Sequence, residues 1–119
     1  MTQTAEDIKR LLIRSDATIR SALEIIEVGA RRIAFVVDKD EKFLGTIADP
    51  DIRRALLNGK NLDSSIQTIF NSESLFLKEN ENKLDISKKA KAKRVFIIPV
   101  IAADGKVSSV YYPENIFER

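Results

Sequence analysis

The chain has 119 residues, 44% of them hydrophobic and 32% charged, which suits one compact domain with its own core. With 20 Lys and Arg against 18 Asp and Glu, the net charge of +2 is too even for obligate binding to DNA, RNA or an anionic membrane. Cys and His are both absent, which excludes thiol chemistry, disulfides, imidazole bases and the usual zinc ligand sets.

In chain order, Thr4-Ala5-Glu6-Asp7 reads as a capping box, followed by Ile8, Leu11 and Leu12 at helical spacing. The run is short and serves as a helical lead-in or an extended arm. A clearer helix starts near Thr18, with Ile19, Ala22, Leu23 and Ile26 on one face and Gly29 as its stop. Ile33 to Val37 then reads as a strand, Asp38 to Lys42 as a polar turn, and Phe43 to Ala48 as a second strand. Asp49-Pro50 starts a helix that runs to Asn58, with Asp49 able to cap, Ile52, Ala55 and Leu56 on one face, and Gly59 as a left-handed stop. "LDSSIQTIF" is a connector with a short helix at its end.

The second half repeats this order. Ser74 to Leu77 is extended, and Asn80 caps a polar helix to about Ala90 whose thin apolar face holds Leu84 with Ile86 or Ala90. "RVFIIPVIAADGKVSSVYY" is strand, turn and strand, with Asp104-Gly105 at the turn. "PENIF" opens a last helix that stops after barely a turn, which points to a protein continuing beyond Arg119. The halves align with a shift of 64 positions: Ile33 falls on Ile97, Val36 on Val100, Asp40 on Asp104, Lys42 on Lys106 and Asp51 on Asn115. This predicts a tandem βαββα-type duplication whose two apolar sheets pack on each other. The expected units are 1–65, lead-in and first repeat, and 66–119, second repeat.

These residues resemble a known family. "RRIAFVVDKDEKFLGTIADPDIRRALLNG" is similar to a CBS domain, and the repeat makes residues 5–117 look like a tandem CBS pair, or Bateman module, of α+β (α/β) class. The form "GTIADPDIRRAL" also resembles CBS pairs fused to sugar-phosphate enzymes, including sugar-1-phosphate nucleotidyltransferases and arabinose-5-phosphate isomerases. The resemblance implies a regulatory module that binds an adenine nucleotide (AMP, ADP or ATP) or a related phosphorylated ligand. It further implies a homodimer and an attached or associated enzyme domain, most simply a sugar-phosphate nucleotidyltransferase.

It also assigns roles to residues. Asp51 would hold the ribose, since a carboxylate accepts from both hydroxyls of a cis-diol in charge-assisted bonds worth roughly 1.5–3 kcal/mol each. The helix start beside it, with Thr46 and Asp49 close in sequence, offers amide donors and a positive dipole end for phosphate. Arg53 or Arg54 can add a bidentate phosphate contact. Ile33, Ala34 and Val36 would line an adenine slot, and Asn115 would take the ribose role in the second repeat. The alternative reading makes Asp51 a dipole-compensating residue, the arginines solvated, and the strand plain core. Two departures from the family pattern favour a pair that has lost its ligand and serves in dimerisation or docking. Ala48 stands where a phosphate-binding Thr is usual, and Tyr112 occupies the same position of the second repeat.

The run "KKAKAKR" (Lys88 to Arg94) carries five positive charges that suit a phosphate, an acidic partner surface or nucleic acid; the preferred reading is a solvated helix face, because the chain is nearly neutral and no aromatic residues interleave the run. Asp49 and Asp51 are the one carboxylate pair near a plausible pocket, and no nucleophile or base accompanies them. The expectation is therefore a non-enzymatic, metal-free module with no nucleic-acid or membrane partner. The longest apolar run, Val95 to Ala103, is too short to span a bilayer and no leader precedes the domain, so a cytoplasmic location is expected.

Overall fold

A computed structural model describes residues 8–29 and 32–113. The capping box at 4–7, the last helix begun by "PENIF" and Asn115 lie outside these residues.

The elements run β1 (Leu12–Arg14), α1 (Ile19–Gly29), β2 (Ile33–Val37), β3 (Phe43–Ala48), α2 (Asp49–Leu57), β4 (Leu77–Lys78), α3 (Lys83–Lys93), β5 (Ile98–Ile101) and β6 (Val107–Tyr111). They form two three-stranded sheets, β1-β2-β3 and β4-β5-β6, each with one parallel and one antiparallel pairing. The first repeat has the β-α-β-β-α order expected from the duplication, and the second shows β-α-β-β, its expected last helix lying outside the described residues.

The duplication extends to the register. Ala34 pairs with Ile47 and Ile98 with Tyr111; Val36 pairs with Gly45 and Val100 with Ser109. A bulge interrupts each hairpin at equivalent places, Val36/Val37 and Val100/Ile101. The turns correspond too, with positive φ at Glu41 (66°) in the first and Gly105 (89°) in the second.

Strand alternation sorts the side chains into three layers. Ala34, Val36 and Ile47 point to α1 and α2, where they close a core with Ile19, Ile26 and Ile52. Ile98 and Leu77 meet Ile86 and Ala90 of α3 in a second, smaller core. The opposite faces carry Phe35, Leu11 and Ile97, all nearly inaccessible, with Phe43, Val107 and Val110 packed around them. The two sheets therefore bury these faces against each other. At the hairpin turns the sheets also join through the backbone, where Phe43 N–H donates to Gly105 O at 2.9 Å.

Local chemistry accounts for the helix ends, and some differ from the sequence expectation. Thr18 Oγ1 accepts from Ser21 N–H and caps α1. Of the two readings of the lead-in, Leu12 follows the extended one and lies in β1, where it pairs with Phe35. Asn82, not Asn80, caps α3 by accepting from Leu84 N–H at 2.8 Å, and the helix runs on to Lys93. Asn80 instead takes a left-handed turn conformation, with φ of 74°. Leu84 is 64% exposed, so Ile86 and Ala90 alone form the buried stripe. Lys88, Lys89, Lys91, Lys93 and Arg94 are exposed, as a solvated face requires. The connector's expected short helix is only a single hydrogen-bonded turn, with Ile69 and Phe70 N–H both donating to Ile66 O.

Candidate functional site

The helix start at α2 decides the site. Its N-cap is Ala48, which has no side-chain acceptor to offer, so Asp49 does not cap as the sequence suggested. Asp51 reaches back instead, and its Oδ2 accepts from Ala48 N–H at 2.9 Å. This is the return half of a capping box. Asp51 Oδ1 lies 3.5 Å from Arg54 Nη1, and the Asp51 side chain is only 18% exposed. A carboxylate has about four acceptor positions, so both contacts together leave Asp51 able to accept from a ligand.

Asp51 opens onto a cleft of about 170 Å³ between the two repeats. From the first repeat come Ile33, Thr46, Ala48 and Asp51; from the second come Ser74, Leu75, Lys93, Val95 and Ile97. Ile33 and Ile97 are the equivalent residues of the two halves, so the cleft lies beside the internal symmetry of the fold. Its walls are apolar at Ile33, Leu75, Val95 and Ile97, and its polar side is formed by Thr46, Asp51, Asn71, Glu73, Ser74 and Lys93 with the N-terminal end of α2. That division suits a ligand with a flat apolar part and a hydroxylated or anionic part. The volume is below the roughly 300–1,000 Å³ of a cleft that encloses a whole drug-sized ligand.

Five of the residues singled out from sequence do not meet there. Ala34 and Val36 are fully buried in the first core, because alternation turns both away from the face that carries Ile33. Asp49 lines a separate hollow with Leu23, Glu27 and Arg32, so Asp49 and Asp51 are not a carboxylate pair. Arg53 is exposed and does not line the cleft. Arg54 is 66% exposed and reaches the cleft only through its ion pair with Asp51.

Sequence reasoning missed Asn71, Glu73, Ser74, Leu75, Val95 and Ile97. The connector brings the first of these into place. Asn71 and Thr46 exchange two backbone hydrogen bonds of 3.0 and 2.8 Å, which lay the chain across the end of β3. Gly45 permits the crossing, since a Cβ there would sit 2.2 Å from the Asn71 carbonyl oxygen. Asn71 Oδ1 then accepts from Glu73 N–H at 3.0 Å and fixes the turn that leads to Ser74. In the second repeat, Tyr112 takes the place of Ala48 and packs against the cluster of Leu11, Phe35 and Ile97.

A larger open hollow of about 690 Å³ lies between the hairpin turns, with Lys39, Lys42 and Lys106 beside Asp40, Glu41 and Asp104. Its charges balance and it lacks an apolar wall, so it offers a ligand little beyond solvent-screened contacts. Among the described residues, no group of three or more carboxylates could hold a metal ion, and no helix is long and apolar enough to cross a membrane.

Fold and cleft together define a CBS-pair architecture, with two β-α-β-β units sheet to sheet and a cleft between them. Comparison with known proteins agrees. Residues 5–58 match the family model of the CBS domain. The CBS domains of a transcriptional regulator from Streptococcus pneumoniae superpose with a TM-score of 0.76 at 13% identity, covering all of this chain and 94% of that one. A CBS domain protein from Pyrobaculum aerophilum, complexed with AMP, gives 0.76 at 20% identity over 92% of this chain and 85% of that one. The cytosolic domain of the Mg2+ channel MgtE, in complex with ATP, gives 0.71 at 13% identity over 89% of this chain. The present chain spans 43% of that domain. No curated protein sequence matches the chain.

Proposed function

We propose that the cleft between the repeats binds an adenine nucleotide (AMP, ADP or ATP) or a related phosphorylated ligand, and that its occupancy controls an attached or partner enzyme. CBS domains are regulatory modules rather than catalytic ones. The observation that carries the reading is the convergence of Asp51, Thr46 and the start of α2 with Lys93 over the apolar walls formed by Ile33 and Ile97. Asp51 accepts from the ribose hydroxyls, Ile33 and Ile97 flank the base, and the α2 amides with Lys93 face the phosphate. The AMP and ATP bound by two similar structures support the choice of ligand class.

Both repeats line the cleft, so a ligand that fits one packing of the repeats better than another shifts the balance between them. That unequal affinity is all that control of a second domain requires. The rest of the reading follows the sequence resemblance: units at 1–65 and 66–119, a homodimer, a cytoplasmic setting, and a sugar-phosphate nucleotidyltransferase as the controlled enzyme. Val28 on α1 and Leu57 on α2, 79% and 82% exposed, support association through the helices.

A second reading has its own support. Ala48 offers no hydroxyl for phosphate, and Asp51 already serves as a cap and an ion-pair partner. A pair without ligand, acting in dimerisation or docking, would keep both features. Calorimetry with AMP, ADP, ATP and a panel of nucleotide sugars separates the two. The sensor binds at least one of them more tightly than millimolar, and Asp51→Ala abolishes that binding. Absence of any such binding leaves the docking module.

A further inference from the structure

Ser74 is the one described residue with a buried side-chain polar atom that lacks a hydrogen-bond partner among the described residues, and it lines the cleft. Leaving a hydroxyl buried and unpaired is costly to a fold. Nothing in the local backbone compels it. The chain is anchored three residues earlier by the paired Asn71 and Thr46 backbones and by the Asn71 side chain on Glu73 N–H. Such a segment fixes the backbone that carries Ser74 beside the cleft. Ala48, which has no polar side chain, lines the same cleft.

We infer that Ser74 is a ligand-contacting residue of this cleft, whose Oγ hydrogen-bonds a polar group of a bound nucleoside phosphate and supplies the hydroxyl contact that Ala48 cannot. The inference rests on the nucleotide reading above and adds a residue and a division of labour to it. The acidic contact comes from the first repeat and the hydroxyl contact from the second, so one ligand bonds to both. A hydroxyl both donates and accepts, so Ser74 can serve a ribose hydroxyl, a ring nitrogen or a phosphate oxygen.

The test pairs two measurements on Ser74→Ala, with Ser72→Ala, an exposed neighbour, as control and Asp51→Ala as the site marker. Without ligand, Ser74→Ala melts at the same temperature as the wild type or higher, because it removes an unpaired buried group. With AMP, ADP or ATP, whichever the wild type binds, its affinity falls about tenfold, the size of one lost hydrogen bond, while Ser72→Ala is unchanged. Unchanged affinity in Ser74→Ala, alongside loss of binding in Asp51→Ala, overturns the Ser74 role and leaves the nucleotide reading standing. A lower melting temperature without ligand also overturns it, since the hydroxyl then has a structural partner. If the wild type binds none of the three, the nucleotide reading and this inference fall together.

Discussion

Gly45→Ala is a small change with a large expected effect. The new Cβ would lie 2.2 Å from Asn71 O, 3.0 Å from Asn71 C and 3.0 Å from a ring carbon of Phe70. The nearest atom belongs to backbone and cannot swing aside as a flexible side chain would, so the connector must lift off β3. Lifting it breaks both backbone hydrogen bonds between Thr46 and Asn71, worth about 0.5–1.5 kcal/mol each. It also loosens Phe70 and Ile69, which pack against the first core. Together these give a loss of about 2–4 kcal/mol. For a domain of this size each kcal/mol moves the melting temperature by roughly 3–6 °C, so the variant should melt at least about 6 °C lower. Urea unfolding followed by circular dichroism measures the free energy directly. Because Asn71 positions Ser74, any nucleotide affinity should fall as well. A loss below about 0.5 kcal/mol would refute the reasoning, since it would mean that the connector does not rest on Gly45.

Other substitutions probe separate parts of the structure. Asp51→Ala removes the acceptor of Ala48 N–H and should cost about 1 kcal/mol in urea unfolding, besides abolishing ligand binding. Arg54→Ala breaks an ion pair of 3.5 Å whose arginine is mostly exposed, and should change stability by less than about 0.5 kcal/mol; a larger loss would mean that the burial of Asp51 shields the pair from solvent. Glu41→Gly relieves a residue at φ of 66° in a turn where the second repeat uses glycine, and should stabilise by up to about 1 kcal/mol. The Asp38 carboxyl is held below its usual value of 3.8, chiefly by the Lys42 amide and also by the Asp40 amide and the charges of Lys42 and Arg14, against partial desolvation. Its folded value is depressed, so its contribution is complete above the unfolded value and is lost as pH falls through the folded one. Asp38→Asn should therefore flatten the acid limb of the stability profile below about pH 4. An unchanged limb would show that other carboxylates set it.

The duplication was legible because it rests on local signals. Alternating apolar residues and turn residues recur at a fixed spacing, and they set strand pairing down to the bulge in each hairpin. The helix from Ile19 to Gly29 was equally plain, since its stripe and its stop are both in the sequence. What could not be read was anything decided by distant contact. Ser74 enters the cleft only because the connector crosses Gly45, and no periodicity announces that crossing. Asp49 and Asn80 looked like caps by residue type. The geometry of the entering chain gave the work to Asp51 and Asn82 instead. Ala34 is a different case. Period-two alternation forbids neighbours such as Ile33 and Ala34 from facing one slot, so the sequence itself held the means to exclude it.

The most direct measurement is a titration of the isotope-labelled protein with AMP, ADP and ATP, followed through its backbone amide NMR signals. The account predicts shifts at Ile33, Thr46 to Asp51, Ser74, Leu75 and Lys93 to Ile97 that saturate below millimolar nucleotide. Shifts confined to the hairpin turns around Lys42 and Lys106, or no shifts at all, would contradict it.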